Sequence, residues 1–170
     1  MLSRYRVLIT FLIVFMLCNT AYFLWPQNRI KVSFLDSVCY LEDSEFILQW
    51  RHSVELQNWQ EHYRASSDQL FLEASYMQTF GAGTPSSGEI IQAPEGYIGL
   101  RSGVVLPYLN WVVSSNMQGV LINSNGVWKI FQIVPDYTEV IIKPLQAARI
   151  FFWLGNNCYD YGYFSSDYQK

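Results

Sequence analysis

The strongest pattern along the chain is a run that does not alternate. From Val7 to Trp25, 19 residues carry no charge, and only Thr10, Cys18, Asn19 and Thr20 interrupt the apolar stretch. A helix of that length nearly crosses a bilayer core, and being apolar all round it has no face to turn to water. Arg4 and Arg6 precede it, and Trp25-Pro26 ends it before Arg29 and Lys31. The balance gives a small positive-inside preference for a cytoplasmic N-terminus. A cleaved signal peptide would need small residues of the Ala-x-Ala kind, which the stretch around Ala21 matches poorly. A lipoprotein reading at Cys18 meets Phe15, Met16 and Leu17 where small residues are needed. We read residues 1–28 as an uncleaved anchor and 29–170 as an extracytoplasmic domain. The chain is then a single-pass inner-membrane protein with its C-terminal domain in the periplasm or outside the cell.

Beyond Arg29 the period changes to two. Ile30, Val32 and Phe34 alternate with Arg29, Lys31 and Ser33, and Phe46, Leu48 and Trp50 repeat the pattern against Ile47, Gln49 and Arg51. Such alternation marks half-buried strands. Val120–Ile122 and Val127–Val134 flank Asn123-Ser-Asn-Gly126, residues that tolerate positive φ, which predicts a hairpin. Thr138–Ile142 and the apolar Ile150–Leu154 read as further strands facing a core. No helical window stands out after the anchor. Strands at this spacing predict an all-β domain, a small antiparallel sandwich or partly open barrel preceded by one transmembrane helix. The tail with Tyr159, Tyr161, Tyr163, Phe164 and Tyr168 reads as an edge strand or a docking segment.

Composition agrees and narrows the function. Hydrophobic residues make up 51% and charged ones 15%, too apolar for a disordered chain, and 17% aromatics suit sheets. The net charge is -3, and the 11 basic side chains fall to nine against 14 acidic ones once Arg4 and Arg6 leave with the anchor. Binding to a phosphate backbone is thereby disfavoured, so nucleic acid is not an expected partner. Of three cysteines, Cys18 lies in the anchor; Cys39 and Cys158 either pair in an oxidising compartment or remain buried thiols.

Both histidines fall between Trp50 and Tyr63. His52, Glu55, Glu61 and His62 are possible ligands for a zinc-like ion, though no His-Glu-x-x-His helix pattern is present. Along an extended strand, positions 52 and 55, like 61 and 62, point to opposite faces. A turn at Leu56–Asn58 would be needed to reunite His52 with Glu61. A hydrolase with Ser53 as nucleophile lacks the Gly-x-Ser-x-Gly elbow. The plainest reading makes His52 and Glu55 a hydrogen-bond network that satisfies buried backbone at a strand turn.

His52-Ser53-Val54-Glu55, then Trp59-x-Glu61 and Tyr63, then Gly81-Ala82-Gly83 followed by Pro85, resemble the motifs of a bacterial family known as domain of unknown function 1850. The resemblance runs over Ser44 to Ile91. It departs at Thr84, where an apolar residue is expected, and in the aromatic tail. It implies a short exported or membrane-anchored protein, often encoded beside TRAP-type transporters of the TAXI class, and no catalytic residue.

The expected role is an accessory binding or assembly module, holding a small ligand or contacting a TRAP-type transporter subunit. Its candidate site is His52, Ser53, Glu55, Glu61, Gly81 and Gly83, a polar turn facing a glycine loop whose amides can receive an anion. The alternative is a metal-dependent hydrolase using His52, Glu55, Glu61 and His62. No cofactor motif is legible.

Overall fold

A computed structural model describes residues 2–160 and the short strand Phe164–Ser165. The uncharged run forms α1 (Leu2–Leu24), and Arg4–Leu24 is long and apolar enough to cross a membrane. Pro26 ends it, since a residue before proline is pushed out of the α region. The chain passes directly into β1 (Pro26–Phe34) and β2 (Ser37–Leu41). There follow β3 (Glu45–Arg51), β4 (Asn58–Ala65), β5 (Leu70–Met77), β6 (Ile90–Ile91), β7 (Ile98–Leu106) and β8 (Leu109–Val113). Then come β9 (Val120–Asn123), β10 (Gly126–Trp128), β11 (Thr138–Ala148), the short helix α2 (Arg149–Trp153) and β12 (Phe164–Ser165).

The strands form two antiparallel sheets, so the expected all-β class is what the chain adopts. The smaller has the order β2-β1-β11-β8 and the larger β12-β10-β9-β3-β4-β5-β7-β6. Ile30, Val32 and Phe34 of β1 and Val140 and Ile142 of β11 meet Phe46, Leu48, Tyr63 and Leu121 of the large sheet in one core. Trp128, fully buried, sets its ring edge-on to Phe34 at 5.8 Å. The alternation read from Ile30 and Phe46 is thus the inward face of each sheet. Asn123 pairs with Gly126 in the expected hairpin, and Gly126 takes φ +130°. Cys39 on β2 is bonded to Cys158, 119 residues on, with Cα atoms 4.8 Å apart.

Two segments differ from expectation. Ile150–Leu154 is not a strand, because β11 stays paired with β1 only to Ala148, opposite Pro26, where the partner strand begins. With no further neighbour the chain coils into α2, the Arg149 amide donates to the Trp25 carbonyl at 3.1 Å, Ile150 and Trp153 approach α1, and Phe151 and Phe152 pack on Tyr40 of β2. A short apolar run suits either element, and here the missing partner strand decides. Val127–Val134 likewise pairs only as far as Trp128, then tightens into a 3-10 turn at Ile130–Gln132 that brings Ile130 and Val134 into the core. In the aromatic tail, Phe164 and Ser165 pair with β10 at the sheet edge, while Tyr161, Tyr163 and Tyr168 lie outside the described residues.

Candidate functional site

The large sheet is wider than the small one, and part of its inner face is covered instead by the segment between β5 and β7. Register places Leu48, Glu61, Ser75 and Leu100 in one row across β3, β4, β5 and β7, and Trp50, Trp59, Met77 and Ile98 in the next. Leu48 and Leu100 are buried hydrophobics on that face, so Glu61 projects a carboxyl inward among them. Its Oε2 accepts a hydrogen bond from the Tyr63 hydroxyl at 2.6 Å. Burial pushes the Glu61 carboxyl above its ordinary value, and the Tyr63 bond only partly opposes this. The Tyr63 hydroxyl is pushed up in turn, by burial first and by the Glu61 charge second.

The β3–β4 connection forms a compact turn. The Leu56 amide donates to the His52 carbonyl at 3.0 Å and the His52 amide to the Gln57 carbonyl at 2.8 Å, with Leu56 in the left-handed region at φ +56°. The His52 ring stacks on Trp59 with centroids 4.6 Å apart and turns Nδ1 to Glu55 Oε2. The other Glu55 oxygen accepts the Ala82 amide at 2.9 Å. That bond is the main cause holding the Glu55 carboxyl below its ordinary value. Burial opposes it, and the His52 charge adds to it.

Gly81 makes this approach possible, because a Cβ there would stand 2.0 Å from Glu55 Oε1. Residues 81–84 form a turn closed by the Thr84 amide on the Gly81 carbonyl at 3.2 Å, with Gly83 at φ +81°. This is the type II geometry that asks for glycine at its third position. The Thr84 hydroxyl accepts the Gly81 amide at 2.8 Å, which gives the departure from the family pattern a structural role.

Four of the six site candidates therefore occupy two neighbouring places. His52, Glu55 and Gly81 form a brace that ties the turn to the loop. Glu61, one strand repeat beyond Trp59 on the same face, lines a cleft of about 440 Å³ under the continuation of that loop, whose wall includes Ser75, Ser86, Ser87, Gly88 and Ser102. Ser53 and Gly83 are exposed and line neither. Ser75, 3% exposed, was not singled out by sequence. It faces inward because the β5 register shifts at a bulge between Leu72 and Ala74, which strict alternation does not anticipate.

The proposed metal ligands separate. His62 lies in the row of Ile47 and Ala74, on the face opposite Glu61, and its ring rests against Tyr76 at 4.7 Å. Burial pulls its imidazole below the ordinary value, with Glu73 opposing, and Nε2 is buried without a protein partner. The turn does not bring His52 to Glu61, because Leu48, not His52, stands opposite Glu61 in the ladder. Among the described residues no three His, Cys, Asp or Glu side chains gather in a metal-binding group. Ser53 is exposed in the turn, and the Nδ1 atom of the neighbouring His52 is turned to Glu55.

No curated protein and no solved structure matches this chain. A family model described as Domain of unknown function (DUF1850) matches residues 46–130. That range holds the brace, the cleft floor and the loop that covers it, and by this match the chain belongs to that family.

Proposed function

We propose that this protein is a membrane-anchored extracytoplasmic binding module, accessory to TRAP-type solute uptake, whose ligand sits between the large sheet and the loop at residues 81–88. The observation that carries the reading is the cleft itself. Its floor bears a half-buried carboxyl, Glu61, and a buried hydroxyl, Ser75, and its lid carries two further serines. A carboxyl half-buried beside leucines is kept at a cost, because burial disfavours its charge. A carboxyl beside several serine hydroxyls, which both donate and accept, suits a small polar solute carrying hydroxyl or amino groups. The Glu55–Ala82 bond sets the height of the lid, which makes the brace a positioning device rather than a direct contact. Export is supported by the bond between Cys39 and Cys158, which belongs in an oxidising compartment, and by Arg4 and Arg6 ahead of the span.

The test is uptake of a radiolabelled solute by a TRAP-type transporter of the same cell, measured with and without this gene. Deletion should lower uptake, the wild-type gene should restore it, and Glu61→Gln should fail to restore it while accumulating as folded protein in the membrane. Unchanged uptake in the deletion strain would overturn the accessory role.

A further inference from the structure

A second cleft, of about 390 Å³, opens where the anchor meets the sandwich. Two guanidinium groups line it. Arg149, the first residue of α2, lies 3.9 Å over the ring of Tyr22, and its amide is bonded to Trp25, so it is fixed at the end of the span. Arg29 of β1 stands 5.9 Å from the Phe152 ring with its side chain 21% exposed. Glu42 also lines the cleft, but its carboxylate is 4.0 Å from Arg29 and 59% exposed. The charged lining is therefore two cations and one solvated anion, and the side chains of Gln27 and Asn157 add polar groups.

The height of this cleft is fixed by its neighbours. Ile150 lies beside Asn19, Thr20 and Phe23 in the last turns of α1, and Phe23 meets the Trp153 ring at 6.4 Å. Trp25, Trp153 and Leu154 stay exposed at 64%, 73% and 73%. Large apolar and aromatic side chains at the end of a span belong at the boundary between acyl chains and headgroups. Just above that boundary lies the phosphate layer, the level at which Arg29 and Arg149 converge.

We propose that this cleft binds the phosphodiester of a membrane glycerophospholipid, with the exposed Trp153 and Leu154 at the end of α2 among the upper acyl carbons. The two guanidinium groups supply charge-assisted donors to the phosphate oxygens. The exposed apolar rim selects a lipid over a free anion, since inorganic phosphate has nothing to place against Trp153 and Leu154. A lipid so held would dock the sandwich on the bilayer and fix its orientation about the anchor. The proposal rests on α1 spanning the membrane and is independent of the ligand cleft under the 81–88 loop.

The test uses the full chain reconstituted in nanodiscs of phosphatidylglycerol and phosphatidylethanolamine, released into mild detergent and weighed by native mass spectrometry. Wild-type protein should retain one lipid. Arg29→Gln and Arg149→Gln should each lower its occupancy roughly fivefold. Glu42→Gln, an exposed change with little bearing on folding, should raise retention by freeing Arg29. Millimolar inorganic phosphate should leave the bound lipid in place. Retention indifferent to all three substitutions, or displacement by phosphate alone, would overturn the proposal. Carbonate extraction of the wild-type protein from membranes is read separately, and release there would remove the anchor reading and this inference with it.

Discussion

The Glu55 carboxylate accepts the backbone amide of Ala82 at 2.9 Å, across 27 residues of chain. This contact joins the two motifs that stand out in the sequence, the His52–Glu55 turn and the Gly81–Gly83 turn. A carboxylate oxygen on a backbone N–H is a charge-assisted bond, and its geometry is set by a glycine that lets the backbone come close. The loop continues from that contact over Glu61 and Ser75, so the position of the cleft wall depends on a bond made at its edge.

The first prediction follows from that closeness. Gly81→Ala should drive the turn off Glu55, and hydrogen exchange should speed up across residues 78–89 while β3 and β4 keep their protection. Glu55→Ala should do the same by removing the acceptor. Because both act on one contact, the double variant should be no worse than the more severe single one. Additive effects on loop protection would mean the two residues act separately and the brace is not one unit.

The same contact marks what could be read in the sequence. Alternation at Ile30–Phe34 and Phe46–Trp50 was enough to find inward faces, because a half-buried strand needs nothing else to declare itself. The hairpin at Asn123–Gly126 was legible because its turn chemistry is local. Ile150–Leu154 was not, since its fate depends on β1 starting at Pro26 and leaving no partner beyond Ala148. Ser75 was hidden by a bulge, whereas the split between Glu61 and His62 to opposite faces was legible from strand alternation alone. The pairing of turn and loop was an inference from two unusual motifs, whereas the cleft beside them is a property of how far the small sheet extends.

Cys39 and Cys158 close a loop of 119 residues, and in the chain-entropy model such a bridge stabilises a domain by about 4 to 5 kcal/mol. That is a large part of the roughly 5–15 kcal/mol of a whole domain. Cys39→Ser with Cys158→Ser should lower the denaturation midpoint by a corresponding amount. Unreduced, denatured full-length protein should titrate one thiol, from Cys18. Three titrating thiols would show that the bridge is absent.

His62 should make stability depend on pH just below neutrality. Burial holds its folded value below the ordinary 6.5, against the pull of Glu73. Between those two values the unfolded chain binds the proton more readily than the folded one. The contribution is therefore present above about 6.5 and lost as pH falls through the folded value. Urea melts at pH 7.5, 6.5 and 5.5 should show midpoints declining toward acid, and His62→Gln should flatten the decline. An identical slope in the variant would assign it to other groups.

Glu61 titrates with the opposite sign, and this separates binding from packing. Its folded value lies above the ordinary 4.5 because burial disfavours the carboxylate. Its contribution to stability is then present below 4.5 and lost as pH rises through the folded value, so toward neutral pH the carboxyl opposes folding. Glu61→Gln removes that opposition and keeps an oxygen to accept the Tyr63 hydroxyl. The variant should melt at or above the wild type at pH 7, and the difference should narrow toward pH 4. A structural carboxylate satisfied by its surroundings would give the reverse, a variant that melts lower at pH 7. If Glu61→Gln is as stable as expected yet fails to restore solute uptake, the carboxyl is kept at that position for a ligand, because folding gains nothing from its charge.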